Sequence, residues 1–282
     1  MNAGIWISSA TKRLETAGIG TARLDSELLV ADGLKKDRSW VTAHADTPLT
    51  TKLLTKLNRQ LAQRLQHVPM AYIRGKTEFY AREFLVDERV LEPRPETETM
   101  ITQALSVLDD KRNNPNTPWL VADIGTGSGA IAITIKLEHP EATVMATDIS
   151  GDCLELARQN AKKHKADVTF HKGDLLEPIH SNRIMPLAAG LMILANLPYV
   201  PDSYKINEAA LHEPRQAIYG GPDGLDVYRA LFQQLASFGV RPCTVLTEAL
   251  PVQHEKLSLI ASSYGFRATK TADFIQTFTV TD

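Results

Sequence analysis

From Trp119 onward, short apolar runs alternate with amphipathic stretches in an order that few folds accommodate. Leu120-Val121-Ala122-Asp123-Ile124 reads as a buried strand, followed by a glycine-rich loop and an apolar helix. Residues 143–148 form a second strand pattern, 153–163 a helix, 168–170 a third strand, and 191–195 a fourth that ends at Asn196. A helix over 225–238, a strand over 244–248 and a helix over 253–263 continue the series. Strands and helices in alternation predict an α/β domain with a mostly parallel sheet covered on both faces.

The first part of the chain has a different pattern. Residues 5–72 read as helical: Leu24, Leu28, Leu29 and Val30 fall near helical spacing, as do Leu53, Leu54, Leu57, Leu61 and Leu65. Asp46-Thr47-Pro48-Leu49-Thr50 reads as a turn and a helix start. Residues 78–86 carry aromatic and branched residues in short runs, and Val90-Leu91 follows a charged turn, which suggests a β-hairpin. In Pro93-Arg94-Pro95-Glu96-Thr97-Glu98, Pro95 suits a first helical turn and the glutamates suit the positive end of the helix dipole. That helix is expected to reach Leu108, with a polar loop over 109–116. The expected organisation is a helical domain over 1–74, a hairpin linker over 75–95 and an α/β domain over 96–282.

The 282 residues are 43% hydrophobic and 23% charged, values that permit a sizeable core. The net charge of −2 lacks the basic excess of a protein that grips long nucleic acid. Cys153 and Cys243 stand in no CxxC pattern and are expected to be buried thiols. No clustered His/Cys spacing calls for a metal. Met1-Asn2-Ala3-Gly4-Ile5-Trp6 has no basic region followed by a long apolar stretch, so no signal peptide is expected. The longest apolar run, 187–195, is too short to span a bilayer. A cytoplasmic monomer that binds neither membrane nor nucleic acid is the expectation.

Asp123-Ile124-Gly125-Thr126-Gly127-Ser128-Gly129-Ala130 joins the first α/β strand to its helix. Three glycines in five residues let the backbone turn tightly and let a ligand come close to the main chain. The loop falls at the carboxyl end of a strand, where open α/β sheets bind ligands. Asp148 ends the next strand, suited to accept from both hydroxyls of an adenosine ribose, and Asp174 in Gly173-Asp174-Leu175 suits an adenine amino group. By itself this pattern fits S-adenosylmethionine, a nicotinamide dinucleotide or a turn with no ligand, since Gly125, Gly127 and Ala130 also satisfy the relaxed dinucleotide fingerprint.

Asn196-Leu197-Pro198-Tyr199 weights the choice toward methyl transfer to nitrogen. An amide or aromatic amine nitrogen is a poor nucleophile because its lone pair is delocalised. Acceptors aimed at its N–H groups turn the lone pair toward the methyl carbon. The Asn196 side-chain oxygen and the Leu197 carbonyl supply such acceptors. Pro198 restricts its own φ and biases Leu197 toward an extended shape. Tyr199 offers a flat face to a planar group. Proximity and orientation are expected to carry most of the catalysis.

These residues resemble the HemK/PrmC family of glutamine N5-methyltransferases. The resemblance runs through Ala22-Arg23-Leu24-Asp25-Ser26-Glu27-Leu28-Leu29, Pro69-Met70-Ala71-Tyr72-Ile73-Arg74-Gly75, Glu78-Phe79-Tyr80, the Pro93–Glu98 segment, the glycine loop and the Asn196 motif. Glu213-Pro214-Arg215 and Gly220-Gly221-Pro222-Asp223-Gly224-Leu225 extend it. It implies a Rossmann-like class I methyltransferase domain, S-adenosylmethionine as cofactor, and class 1 peptide chain release factors as partners, recognised with help from the helical domain. The glutamine of their Gly-Gly-Gln loop would enter beside Asn196, with Arg94 and Glu96 near it. The expected cofactor-binding residues are Asp123, Gly125, Thr126, Gly127, Ser128, Gly129, Asp148, Asp174, Leu175 and Asn196. Asn196, Leu197, Pro198 and Tyr199 are the expected catalytic and substrate-binding residues, joined in binding by Arg94 and Glu96; a helix-start ion pair is the other reading of Arg94. The chain departs from the family at Leu197, where proline is usual, at Glu92, where an aliphatic residue is usual, at Leu175, where some members carry tryptophan, and in a tail without the closing Gly-x-Asp-Arg pattern. Asn-Leu-Pro-Tyr is also typical of ribosomal-RNA adenine dimethyltransferases, so adenine N6-methylation of RNA or DNA is a second hypothesis. A non-catalytic cofactor-binding module is a third.

Overall fold

The computed structural model describes residues 1–110, 119–181, 190–237 and 244–281. Residues 111–116 of the expected polar loop, 187–189 of the apolar run, Phe238 and Cys243 lie outside them. The chain divides into two compact units, Met1–Lys76 with Ile206–His212, and Thr77–Lys205 with Glu213–Asp282.

The first unit contains α1 (Ala3–Thr16), α2 (Ala22–Leu34), α3 (Arg38–Ala43), α4 (Thr51–Arg64) and α5 (Met70–Arg74). Thr50 caps α4 by accepting from the Leu53 N–H at 3.3 Å, as the turn signal predicts. Leu14, Leu29, Val30, Leu57 and Leu61 are buried together in its core, whereas Leu24 is exposed. Asp25 is buried and accepts from Thr21 at 2.9 Å and from Arg64 at 2.7 Å. The acidic positions of the Ala22–Leu29 motif therefore serve this unit's own packing: Arg23 pairs with Glu27 at 2.5 Å in the same way. Ile206–His212 clusters here rather than with the α/β unit. Glu208 pairs with His67 at 2.7 Å, and His212 Nε2 lies 2.8 Å from the Gln66 carbonyl.

The second unit opens with the hairpin of β1 (Lys76–Phe79) and β2 (Arg82–Leu85). It turns at Tyr80 and Ala81, both at positive φ (49° and 55°), the backbone of a tight two-residue turn that matches strand twist. The charged stretch before Val90-Leu91 is not the hairpin turn, and Val90-Leu91 is not a strand. Glu98 accepts from the Tyr80 N–H at 2.8 Å, which offsets the cost of a left-handed turn without glycine. The stretch expected as a linker thus clusters, from Thr77 on, inside the second unit, and Phe79 and Phe84 are fully buried in its core.

After α6 (Glu98–Leu108) come β3 (Trp119–Ile124), α7 (Ala130–Glu138), β4 (Thr143–Asp148), α8 (Gly151–His164), β5 (Val168–Lys172), α9 (Glu177–Ser181), β6 (Gly190–Ala195), α10 (Arg215–Ile218), α11 (Asp226–Ser237), β7 (Thr244–Glu248), α12 (His254–Ser263), β8 (Phe266–Ala272) and β9 (Ile275–Val280). The sheet order is β5-β4-β3-β6-β7-β9-β8. β3 to β7 pair in parallel, while β9 runs antiparallel to β7 and β8 antiparallel to β9. The expected Rossmann-like, mostly parallel sheet is present. Successive residues of β3 enter opposite cores, Leu120 and Ala122 on one face and Trp119 and Val121 on the other, which is why the strand is apolar up to Asp123 at its carboxyl end. The order reverses between β3 and β6, so both strands deliver their following loops to one crevice.

Candidate active site

The crevice is a cavity of about 320 Å³. Gly125, Gly127, Asp148, Asp174 and Leu175 line one part, and Asn196, Leu197, Pro198 and Thr97 another. The loop after β3 needs its glycines for separate reasons. Gly125, Gly127 and Gly129 all have positive φ (72°, 55° and 82°). A Cβ on Gly125 would lie 2.8 Å from Leu197 Cδ2, and one on Gly129 would lie 3.1 Å from Ala157 Cβ. A Cβ on Gly127 would meet nothing within 4 Å, so that glycine leaves open space in the cavity wall. Gly127→Ala is therefore expected to cost only about 1 kcal/mol of stability while weakening cofactor binding by roughly tenfold or more. Thermal melting and calorimetric titration separate the two effects.

Asp148 is set by two backbone donors, Gly127 N–H at 2.9 Å and Ser150 N–H at 2.8 Å, one on each carboxylate oxygen. Each oxygen keeps a lone pair for a further donor. Burial raises its pKa, and these hydrogen bonds oppose the rise. Asp123 and Gly129, expected at the cofactor, lie behind the cavity lining. Asp123 is fully buried; its Oδ2 accepts from Thr126 at 2.5 Å and from the Ala132 N–H at 3.2 Å, which fixes the loop and the start of α7. Burial pushes its pKa up to about 7. Leu175 lies at φ 49°, and its carbonyl accepts from Thr147 at 2.8 Å. Cys153 also lines the cavity, but burial raises its thiol to about 11, and it donates to the Arg89 carbonyl at 3.1 Å. It is the inert thiol the sequence suggests.

At the acceptor end, Asn196 Nδ2 donates to Thr97 Oγ1 at 3.0 Å, and Thr97 donates to Glu248 Oε2 at 2.7 Å. Tyr199 sends its hydroxyl to Glu248 Oε1 at 3.1 Å and stands outside the lining. Burial, and then the Glu248 charge, push the Tyr199 pKa up. The Leu197 N–H donates to the Tyr228 hydroxyl at 3.3 Å, and that hydroxyl also contacts the Ala195 carbonyl at 3.1 Å and the Glu248 carbonyl. One buried phenol thus joins the ends of β6 and β7. Among the described residues, no donor reaches the Leu197 carbonyl or Asn196 Oδ1.

The Gly220–Leu225 segment holds this tetrapeptide from behind. A Cβ on Gly220 would lie 2.3 Å from the Pro198 carbonyl oxygen, and one on Gly224 would lie 2.1 Å from that of Tyr199. Gln253 donates to the Tyr199 and Asp223 carbonyls, both at 2.8 Å. Arg94, expected at the substrate, pairs with Glu213 at 2.5 Å outside the lining. Its ion pair runs to another loop, not to a helix start. Glu96 is exposed, also outside the lining, and its charge acts on Tyr199 and Glu248.

Residues 6–75 match the PrmC N-terminal domain, and residues 102–202 match the methyltransferase small domain. A release factor glutamine methyltransferase of Koribacter versatilis is 37% identical over 230 residues, covering 80% of this chain and 79% of that protein. The chain belongs to the release factor glutamine methyltransferase family. Another member, from Coxiella burnetii, is 34% identical and covers 93% of this chain and 92% of its own. The hMettl16 catalytic domain, solved with a MAT2A 3′UTR hairpin, superposes with a TM-score of 0.52 at 10% identity over 82% of each chain. That likeness concerns the fold.

The residues present fit S-adenosylmethionine. The Gly127 wall is open where a side chain would intrude, and Asp148, in the lining, has one backbone donor on each carboxylate oxygen and a lone pair left on each for a ribose hydroxyl. Thr97, Glu248, Tyr228, Gln253 and Asn160 escaped the sequence reading. Asn160 is buried in α8, donates to the Leu85 and Ser128 carbonyls at 3.0 and 2.9 Å, and so ties the hairpin to the glycine loop. Only Thr97 stood within a motif already singled out. The others sit among ordinary helical or strand residues and carry no local signal.

Proposed function

We propose that this chain methylates the side-chain amide nitrogen of the glutamine in the Gly-Gly-Gln loop of class 1 peptide chain release factors, in the cytoplasm, with S-adenosylmethionine as donor. When bound, the cofactor supplies an activated methyl group on a sulfonium. Asp148 would hold the ribose and Asp174 the adenine. Asn196 Oδ1 and the Leu197 carbonyl accept from the two N–H groups of the glutamine amide and turn its nitrogen lone pair toward the methyl carbon. Gly220 and Gly224 keep the Pro198 and Tyr199 backbone from retreating. Rate enhancement comes from alignment within the cavity. The observation that carries the reading is Asn196, in the cavity wall with its amino end engaged by Thr97 and its oxygen without a donor among the described residues.

Leu197 in place of proline preserves the carbonyl, since every residue has one, and its side chain packs over Gly125. Transfer of labelled methyl to purified release factor is expected, and a Gln→Ala change in the Gly-Gly-Gln loop should abolish it. Absence of labelling, or label that persists in the Ala variant, rejects the proposal. Ribosomal RNA in the same assay provides the competing acceptor.

A further inference from the structure

The side-chain amide of Asn196 has two ends, and only one accepts hydrogen bonds. Two protein groups decide which end meets the cavity. Glu248 is 1% exposed, at the end of β7. Its Oε2 lies 2.7 Å from Thr97 Oγ1, and its Oε1 lies 3.1 Å from the Tyr199 hydroxyl. Burial raises the Glu248 pKa, but hydrogen bonds from Thr97, Tyr199 and the Asn196 side chain oppose the rise and favour the carboxylate. A carboxylate only accepts, so the single Thr97 hydroxyl proton points to Glu248. Thr97 Oγ1 then has only lone pairs left for Asn196, 3.0 Å away. A rotated Asn196 would place its oxygen against those lone pairs. Its NH2 must therefore face Thr97, and its oxygen is left for another donor.

We infer that Thr97 and Glu248 are positioning residues for the reaction: as a two-bond relay they hold the Asn196 amide with its oxygen toward the substrate nitrogen. The inference rests on the proposed function for what that oxygen contacts, but the orientation itself is a property of the free protein. The relay gives the Pro93–Glu98 segment a task. Pro95 starts a 3-10 turn over Pro95–Thr97, and that turn delivers Thr97, buried at 2% exposure, between β6 and β7 residues. Glu248 also ties the relay to Tyr199, so the two ends of the acceptor tetrapeptide share one anchor.

Thr97→Val keeps the shape and removes the hydroxyl; Thr97→Ser keeps the hydroxyl. The Val variant is expected to lose about ten- to hundredfold in kcat, the scale of one lost hydrogen bond to a charged or reacting group. The Ser variant is expected to stay within about threefold of the parent, and cofactor affinity by calorimetry within about twofold in both, since neither change removes a cofactor contact. Nitrogen-15 spectra of the asparagine side-chain amides, assigned with Asn196→Ala, should show slowed exchange of one Asn196 amide proton in the parent and Ser variants and its loss in the Val variant. An Asn196 amide that exchanges alike in parent and Val variants overturns the inference, as does parental kcat in the Val variant. An unlabelled release factor with the exchange pattern intact removes the proposed substrate and leaves the relay standing.

Discussion

Asn196→Ala is expected to reduce methyl transfer to release factor by on the order of a thousandfold in kcat, while cofactor affinity stays within about threefold. The substitution deletes the side-chain oxygen that meets the substrate amide and also leaves Thr97 without the donor 3.0 Å away. An unoriented amide keeps its lone pair in conjugation, so the donor methyl faces a nitrogen with little nucleophilicity. The glycine loop and Asp148 are untouched, because their mutual contacts run through Gly127 and Ser150. Single-turnover kinetics beside calorimetry read the two quantities apart. Equal loss of transfer and of cofactor affinity contradicts the role assigned to Asn196.

Gly224→Ala is expected to be strongly destabilising. Gly224 has φ 79°, a left-handed conformation that costs alanine roughly 1 kcal/mol. The added Cβ would also sit 2.1 Å from the Tyr199 carbonyl oxygen and 2.5 Å from Gln253 Nε2. The first of these is backbone and has no rotamer by which to escape. Relief requires the Tyr199 carbonyl to move, which breaks its 2.8 Å bond from Gln253. Overpacking of this kind adds about 1–3 kcal/mol, for a melting temperature lower by roughly 5–12 °C. Transfer should fall with it even well below the melting temperature, because the displaced carbonyl adjoins the acceptor tetrapeptide. Full activity in a variant of lowered stability would show that the Gly220–Leu225 segment is a packing element alone.

Both predictions concern residues whose meaning differs with the level at which they are read. Asn196 could be singled out from its own tetrapeptide and its place after an apolar strand. Gly224 could not: its segment resembles a family feature, but nothing in Gly220–Leu225 says that it abuts the backbone of Pro198 and Tyr199. The same holds for Arg94, whose charge invites a substrate role and whose partner proves to be Glu213, 119 residues away in the chain.

Local pattern alone determined much of the chain. Near-continuous apolar strands such as β6, and β3 up to Asp123, suit central strands covered on both faces, so the parallel sheet followed from the pattern. The glycine loop and Asp148 followed from position at strand ends, where backbone N–H groups and a short turn create a ligand site. β8 and β9 were not legible. β8 alternates polar and small residues and is exposed along most of its length, so it lacks the apolar signal of an inner strand. Its place at the sheet edge is set by β9, which inserts antiparallel between β7 and β8. The support of the active site was equally hidden. Thr97, Tyr228 and Glu248 meet around the Asn196-Leu197 backbone and side chain only because the 3-10 turn before α6, α11 and the ends of β6 and β7 converge there, and hydrogen bonds across 99 or 151 residues of chain leave no trace in any short window of sequence. Periodicity reports which face of an element is buried; which polar group meets which is decided only when the elements pack.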